Sequence, residues 1–338
     1  MTRYVVIGAG AAGGTLAAQL EQQGLDHVLV ARGRTLEVLR QEGLTFTRPS
    51  GTRQVDVTVV GGPDEVTLTS DDVLVLATKA QHAEQALQQW AWRPVDGGRT
   101  TAAESLVLLT LQNGLDTERA ALRRFDTVYG VSIWLPGSHL RAGHVVNGGT
   151  DRIGTAWIGR HPDGTTDDPR LAGIVADLAR LEITTQVVDD IGRWKAAKLI
   201  GNLYNALDVL ADVHDDPAAA DRAKELLRAE ALEVYAAEGI VPADYEREIT
   251  VDVSGLAPQA VADYDPRNKS TFQSVARGAD SVETDFLNGE IVLLGRRHGI
   301  KTPANARLQA LVSSAGAGPD SLGRHTLADL LSPLTPTP

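Results

Sequence analysis

The fold of this 338-residue chain is decided near its start, where residues 4–13 read YVVIGAGAAG. The four apolar residues predict a buried strand, and the glycines after them have GxGxxG spacing. In such a motif Gly8 permits a tight turn, Gly10 lets the backbone approach a pyrophosphate, and Gly13 lets helix and strand pack closely. The helix that begins near Ala11 points its N-terminus at the phosphates. The stretch therefore predicts a dinucleotide site; the alternative is a glycine-rich turn in another kind of α/β protein.

Short apolar runs without alternation recur along the first half of the chain, as expected of strands buried on both faces of a parallel sheet. Helical patterns that end near Gly24 and Gly43 separate the first runs. Strand, helix and strand in this order predict an α/β fold with a Rossmann-type doubly wound sheet. The runs are Tyr4–Ile7, His27–Val30, Val73–Leu76 and Leu106–Leu109, with further strands expected around Val128–Leu135 and Val145–Gly159.

After about Asp189 the pattern becomes that of long helices, so we expect an all-helical C-terminal domain. One helix is predicted to begin at Asp216-Pro217, an N-cap acid followed by proline. Another is predicted to begin near Ser270 and to continue through Asn288 towards Arg297. The predicted division is a cofactor domain over 1–188, a helical substrate and catalytic domain over 189–330, and a loose tail over 331–338.

Composition limits the classes of function. The formal charge of −12 offers no general basic surface to nucleic acid or to an anionic membrane. The absence of cysteine excludes disulfides, thiolate catalysis and cysteine-ligated metals. The histidines have no metal-ligand spacing, so we expect no metal site. No apolar run reaches the length of a membrane span. We therefore expect a cytoplasmic protein that acts on a small molecule, without a nucleic-acid or membrane partner.

The residues after the second strand indicate which dinucleotide is bound. A carboxylate about 20 residues after the glycine motif would hold the ribose 2′-hydroxyl of NAD, whereas arginine accommodates a 2′-phosphate. This chain has no acid there, and Arg32 and Arg34 follow the strand instead. The sequence therefore favours NADP(H); the alternative is a pair of arginines on a solvated loop.

One polar helix stands out at the start of the C-terminal half. The chain contains 6 lysines against 26 arginines, which favours a chemical role for the lysines that remain. Lys198, Asn202 and Asn205 are spaced four and three apart and so share one helical face. An ammonium group flanked by amides can hold a carbonyl oxygen and donate a proton to it. The alternative is an exposed polar face with a solvated lysine. If Lys198 is not the proton donor, Lys195 is the next candidate.

Taken together, these motifs resemble those of the ketopantoate reductase (2-dehydropantoate 2-reductase) family, in order and approximate spacing over about residues 4–310. Besides the glycine motif and the lysine helix, the resemblance is carried by Ala31-Arg32-Gly33, Ala77-Thr78-Lys79-Ala80, Leu111-Gln112-Asn113-Gly114-Leu115, Glu283-Thr284-Asp285-Phe286-Leu287-Asn288-Gly289 and Thr302-Pro303-Ala304-Asn305.

The resemblance implies a role for each matching residue. It makes Lys198 the proton donor and Glu283 its catalytic partner, in contact with the substrate or the lysine. It places Asn113 near nicotinamide and substrate, and Lys79 near the cofactor. Substrate contacts then fall on Asn202, Ser270 and, by its place on the lysine helix, Asn205. The implied reaction moves a hydride from NADPH to the ketone of a 2-oxo acid, most simply 2-dehydropantoate on the route to pantothenate and coenzyme A.

Three departures from the family pattern leave the substrate open. Ala206 stands where the family has a second asparagine, with Asn205 one place early. Ser274 replaces an acid, and one extra residue separates Gly278 from Glu283. The alternatives are a relative that reduces another ketone or an imine, and a non-catalytic NADP(H)-binding sensor. Self-association of the helical domain as a homodimer also stays open.

Overall fold

A computed structural model describes residues 1–162, 164, 167–210, 213, 215–262, 264–265, 269–279, 282–315 and 318–332. The strands are β1 (Arg3–Ile7), β2 (His27–Val30), β3 (Leu44–Arg48), β4 (Gly51–Val55), β5 (Val59–Val60), β6 (Asp72–Leu76), β7 (Pro94–Val95), β8 (Thr100–Thr101), β9 (Val107–Thr110), β10 (Thr127–Trp134), β11 (Gly137–Arg141), β12 (His144–Asn147), β13 (Gly154–Arg160) and β14 (Ile183–Val187).

The α-helices are α1 (Ala11–Gln22), α2 (Gly33–Glu42), α3 (Ala83–Ala91), α4 (Ala102–Ser105), α5 (Asp116–Ala121), α6 (Pro169–Arg180), α7 (Ile191–Asn202), α8 (Leu207–Leu210), α9 (Pro217–Glu238), α10 (Tyr245–Glu248), α11 (Ser270–Ala276), α12 (Asn288–His298), α13 (Pro303–Ala315) and α14 (Leu327–Leu331). Within the described residues, none of these helices is long and apolar enough to cross a membrane.

The chain divides by its contacts into two compact units. The first consists of Met1–Gln112, Thr117–Trp194 and Glu246–Pro266, and the second of Asn113–Asp116, Lys195–Tyr245 and Arg267–Pro338. The units thus differ from the two continuous segments expected from the sequence. Residues 113–116 belong to the second unit, although they lie in the N-terminal half of the chain. Residues 246–266 belong to the first unit, although they lie in the C-terminal half. The predicted tail lies outside the described residues from position 333 onward.

The first unit is built on an eight-stranded sheet of order β14-β13-β10-β9-β6-β1-β2-β5. The six strands β10, β9, β6, β1, β2 and β5 are parallel to one another. β13 pairs with β10 in the antiparallel direction. Successive residues of β1 alternate between two cores, as the pleat requires. Tyr4 and Val6 pack on the face covered by α1 and α6, and Val5 and Ile7 on the face covered by α3 and α4. The predicted doubly wound α/β sheet is confirmed.

A second sheet, of order β11-β12-β3-β4, packs against α1 in the same unit. The sequence did not predict this sheet, because its strands mix polar and apolar residues. The single strand predicted around Val145–Gly159 is wrong: the structure divides it into β12, in this sheet, and β13, in the eight-stranded sheet. Phe46 and Val145 of the second sheet are fully buried.

The second unit is helical around the long helix α9. Asp216 caps α9 as predicted, accepting a hydrogen bond from the amide of Ala219 at 3.0 Å. The continuous helix predicted from Ser270 to Arg297 is wrong. The structure has α11, then a 3₁₀ helix at Glu283–Phe286, then α12. The break follows Gly278, whose φ of +74° ends α11 in a left-handed conformation that helices cannot continue.

Candidate active site

The glycine motif forms the turn between β1 and α1 in the first unit. Gly8 has a φ of +117°, and a Cβ on it would lie 2.9 Å from the backbone of Ala77 and Thr78 at the end of β6. A Cβ on Gly13 would lie 1.9 Å from the carbonyl oxygen of Gly8. Both positions therefore exclude every side chain. The turn is packed as tightly as the motif predicts.

Gly10 behaves differently from its two neighbours in the motif. It is the N-cap of α1 and has no side-chain cap, and a Cβ placed on it would meet no described residue within 4 Å. Open space thus lies beside the helix N-terminus, where Ala11 is the first helical residue. Helix N-termini with unblocked amides bind anions, so this turn fits a pyrophosphate.

Arg32 and Arg34 take different partners after β2. The Arg32 guanidinium donates to two side-chain amide oxygens of α3, to Gln85 at 3.0 Å and to Gln89. Arg34 forms an ion pair with Glu37 on its own helix at 3.2 Å. Arg32 therefore keeps neutral partners, whereas Arg34 is already paired with a carboxylate.

Lys79 and Gln112 belong to the loops that follow β6 and β9. Lys79 is half-buried and precedes a 3₁₀ helix at Ala80–His82, with its carbonyl accepting from the amide of His82 at 2.9 Å. Gln112 is buried, and its amide donates to the carbonyls of Leu76 at 2.9 Å and Thr78 at 3.0 Å. Gln112 belongs to a motif noted in the sequence, where no role is predicted for it; in the structure it fixes the loop that carries Lys79.

In the second unit, Lys198 lies half-buried on α7, and Asn202 ends this helix one turn later. Lys195, the substitute named from the sequence, is only 3% exposed. Leu199 and Leu203 point into the apolar core, as the helical spacing predicted. Lys198 and Asn202 therefore share the face of α7 that is not committed to that core.

Three of the predicted substrate residues meet at the end of α7. The chain tightens there into a 3₁₀ helix at Leu203–Ala206, in which residues three apart are eclipsed. The Asn205 amide accordingly donates to Asn202 Oδ1 at 3.3 Å and to Ser270 Oγ at 3.4 Å. The Nδ2 of Asn202 is buried and has no hydrogen-bond partner among the residues that the structure describes. The structure thus gathers Asn202, Asn205 and Ser270 into one polar cluster.

The departures from the family pattern have plain structural outcomes. Ala206 is buried among the apolar residues of the second unit, so its position offers no polar group. The Ser274 hydroxyl turns back and donates to the carbonyl of Ser270 at 3.0 Å. The residues between Gly278 and Glu283 lie partly outside the described chain.

Asn113 and Glu283 are held by neighbouring parts of the second unit. Asn113 is half-buried and precedes Gly114, which has a φ of +86° and approaches Phe286 so closely that a Cβ would lie 2.6 Å from its carbonyl oxygen. Phe286 ends the 3₁₀ helix that Glu283 begins, and Glu283 is buried. The two predicted residues therefore sit on segments in direct backbone contact.

A network of buried amide and carboxylate groups supports the polar cluster at the end of α7. No role was predicted from the sequence for the residues of this network. The Asn288 amide donates to the carbonyl of Leu203 at 3.2 Å and to Asn305 Oδ1 at 3.0 Å. Glu230 of α9 accepts from the backbone amides of Ala304 at 2.7 Å and Asn305 at 3.0 Å. Burial raises the pKa of Glu230, and these amides oppose the rise. Nothing in the spacing of Glu230 could have identified it among the other helical glutamates.

A dinucleotide turn on a doubly wound sheet, in a chain whose second unit presents a lysine and a cluster of amides, is typical of oxidoreductases that use a nicotinamide cofactor. Residues 4–163 match the family described as Ketopantoate reductase PanE/ApbA, and residues 190–315 match the C-terminal part of the same family. The chain belongs to the ketopantoate reductase family, whose members are oxidoreductases acting on a CH–OH group.

Curated relatives agree with this assignment, and solved structures share the fold. A 2-dehydropantoate 2-reductase from Caulobacter vibrioides is 28% identical over 93% of this chain and 99% of its own length. The crystal structure of a PanE/ApbA family ketopantoate reductase from Ralstonia eutropha JMP134 superposes with a TM-score of 0.70 at 24% identity, covering 93% of this chain and 98% of its own. D-mandelate dehydrogenase, solved with NADH and anilino(oxo)acetate, has a TM-score of 0.72 at 19% identity, covering 93% and 98%.

Proposed function

We propose that this chain reduces 2-dehydropantoate to pantoate with NADPH, using Lys198 as the proton donor. The observation that carries the proposal is the polar cluster at the end of α7, where Asn202, Asn205 and Ser270 meet one turn after Lys198. Amide and hydroxyl groups can donate to the carboxylate and accept from the hydroxyl of such a substrate. The curated relatives that carry the name 2-dehydropantoate 2-reductase support this choice.

The reaction divides between the cofactor and the side chains. NADPH, when bound, supplies a hydride to the C2 carbon of the ketone. The Lys198 ammonium gives a proton to the carbonyl oxygen, so that the C=O bond becomes CH–OH and the lysine becomes a neutral amine. The side-chain amides of Asn202, Asn205 and Asn113 would orient the substrate. Glu283 holds the ammonium or the substrate in place.

The preference for NADPH rests on Arg32. Arginine binds phosphate through two parallel N–H groups, and Arg32 stands where an NAD-binding fold would carry an acid. The glycine turn, with its open space beside Gly10, takes the pyrophosphate. Lys79 supplies a further positive charge to the cofactor.

A different 2-oxo acid is the second candidate, because two positions that are polar in the family pattern offer nothing to a substrate here. Ala206 is buried in the apolar core, and the Ser274 hydroxyl is occupied by the carbonyl of Ser270. The D-mandelate dehydrogenase structure, with its bound anilino(oxo)acetate, is consistent with such variation on this fold.

The experiment is a steady-state assay of NADPH oxidation with a panel of 2-oxo acids that begins with 2-dehydropantoate. We expect 2-dehydropantoate to give the highest kcat/KM. Turnover confined to other 2-oxo acids would favour the second candidate, and cofactor binding without turnover of any carbonyl would make the chain a sensor.

The role of Lys198 is tested with two substitutions. We expect Lys198→Ala to lower kcat by roughly 10²–10⁴ while NADPH affinity is retained. Lys198→Arg keeps the charge but cannot give up a proton, so a comparable loss is expected. The matched control is Lys224→Ala, which removes a lysine paired with Asp221 at 2.9 Å on the surface of α9. Full activity of Lys198→Ala would refute the assignment, and a loss in Lys195→Ala alone would move it to that residue.

A further inference from the structure

We infer that Gln85 and Gln89 determine how strongly the Arg32 site selects a 2′-phosphate, by holding the guanidinium with neutral acceptors. This inference deepens the proposed function and rests on its preference for NADPH. Both glutamines lie on α3, one turn apart and therefore on one side of the helix. Each accepts a hydrogen bond from a different Nη atom of Arg32.

The local fold explains why α3 meets this arginine. Buried residues of α3, among them Ala86 and Trp90, pack with Val30 of β2 on the same face of the sheet. The face that carries Gln85 and Gln89 therefore comes to the end of β2, where Arg32 is the N-cap of α2. The Arg32 side chain thus extends from the end of β2 to α3, the helix that comes after β6.

The charged side chains of α2 and α3 described below are paired with residues other than Arg32. The carboxylate on this part of α3, Glu84, is paired with Arg124 at 2.6 Å and accepts from Gln88 at 2.9 Å. It is thus engaged elsewhere. Arg34, the other candidate for the phosphate, is paired with Glu37. Arg32 is held by two uncharged groups, so its positive charge is not neutralised by its supports.

Neutral supports have two physical consequences for binding. First, a guanidinium has five N–H donors, and the two amides use two of them, which leaves three for the oxygens of a phosphate. Second, a flexible arginine loses side-chain entropy when it is ordered on binding, and here part of that loss occurs before the ligand arrives. A carboxylate in place of either amide would hold the arginine equally well but would oppose the phosphate. Selectivity thus depends on the acceptors being amides.

The test measures the binding of 2′,5′-ADP and of 5′-AMP by calorimetry, because these ligands differ only in the 2′-phosphate. We expect Gln85→Ala with Gln89→Ala to weaken 2′,5′-ADP by about 2- to 12-fold, the range that follows from ordering one long side chain. Binding of 5′-AMP should stay unchanged. Gln89→Glu should weaken 2′,5′-ADP more than the double alanine variant does, although it keeps an acceptor for Arg32.

Gln88→Ala is the matched control, since Gln88 lies on the same helix and contacts Glu84 instead. It should bind both ligands as the unaltered protein does; a loss equal to that of the other glutamines would overturn the inference. Thermal melting of each ligand-free variant shows that folding is retained. The inference is also overturned if Arg32→Ala weakens 2′,5′-ADP while the double glutamine variant does not. If Arg32→Ala itself has no effect, the NADPH preference fails first.

Discussion

Two glycines of the same turn should respond differently to substitution by alanine: Gly13 mainly in stability, and Gly10 mainly in cofactor affinity. A methyl group on Gly13 would lie 1.9 Å from the carbonyl oxygen of Gly8 and 3.0 Å from Cβ of Ala77. Backbone must then move by more than 1 Å, roughly the difference from an ordinary carbon–oxygen contact. A methyl group on Gly10 meets no atom within 4 Å in the part of the chain that the structure describes.

Overpacking of this kind costs about 3 kcal/mol when backbone is the obstacle. We therefore expect Gly13→Ala to lower the Tm by about 6–12 °C, at about 2–4 °C per kcal/mol for a protein domain of this size. Gly10→Ala changes only the N-cap, which costs about 0.5–1 kcal/mol. Its methyl group would nevertheless stand in the space assigned to the pyrophosphate, so NADPH affinity should fall by about tenfold or more.

Calorimetric melting of both variants, with NADPH titrations of Gly10→Ala, separates the two effects. A Gly10→Ala variant that binds NADPH with unaltered affinity would refute the assignment of this turn to the cofactor. A Gly13→Ala variant as stable as the unaltered protein would refute the close approach of α1 to β1.

Three further predictions concern other parts of the chain. Asn288→Ala leaves the carbonyl of Leu203 without its buried donor. We therefore expect the free energy of unfolding in urea to fall by about 1–3 kcal/mol, and kcat to fall as well. A rise in KM alone would contradict a role for Asn288 in holding the polar cluster at the end of α7. Burial raises the pKa of Tyr264 to about 12, above the usual value near 10, so its contribution to stability is present below pH 10 and is lost as the pH rises towards 12; Tyr264→Phe should flatten the fall of Tm over that window, and an identical fall would contradict this. Arg193 holds Glu248 through two hydrogen bonds of 2.8 Å, so Arg193→Ala should speed limited proteolysis within 246–266, with Arg222→Ala on α9 as the control.

The elements that the sequence predicted well are those whose residues interact with near neighbours. The glycine turn, β1, β2 and the N-cap of α9 depend on local sterics and hydrogen bonds, so spacing alone reveals them. The helix predicted from Ser270 to Arg297 was wrong because helical periodicity persists across Gly278, where one left-handed residue ends the helix. The small four-stranded sheet was missed because its strands mix polar and apolar residues, and because β12 was predicted as one strand with β13.

The candidate residues divide along the same line. Lys198 and Asn202 share a helical face, which their spacing shows directly. Asn205 and Ser270 come together only because the end of α7 tightens and α11 packs beside it, which no spacing indicates. Gln85, Gln89 and Glu230 are ordinary helical residues in the sequence. Their interest comes from what the fold places opposite them.

The segment from Glu246 to Pro266 has a consequence for anyone who wishes to divide this protein. Hydrogen bonds attach it to the rest of the first unit: Arg152 donates to Asp252 at 3.0 Å, Gln186 donates to the carbonyl of Glu248 at 2.9 Å, and the amide of Gln259 donates to the carbonyl of Gly148 at 2.8 Å. A gene truncated after Trp194 would encode a first unit that lacks these hydrogen bonds. Residues 1–194 expressed alone should therefore be less soluble than when they are produced together with residues 195–338, which restore this segment.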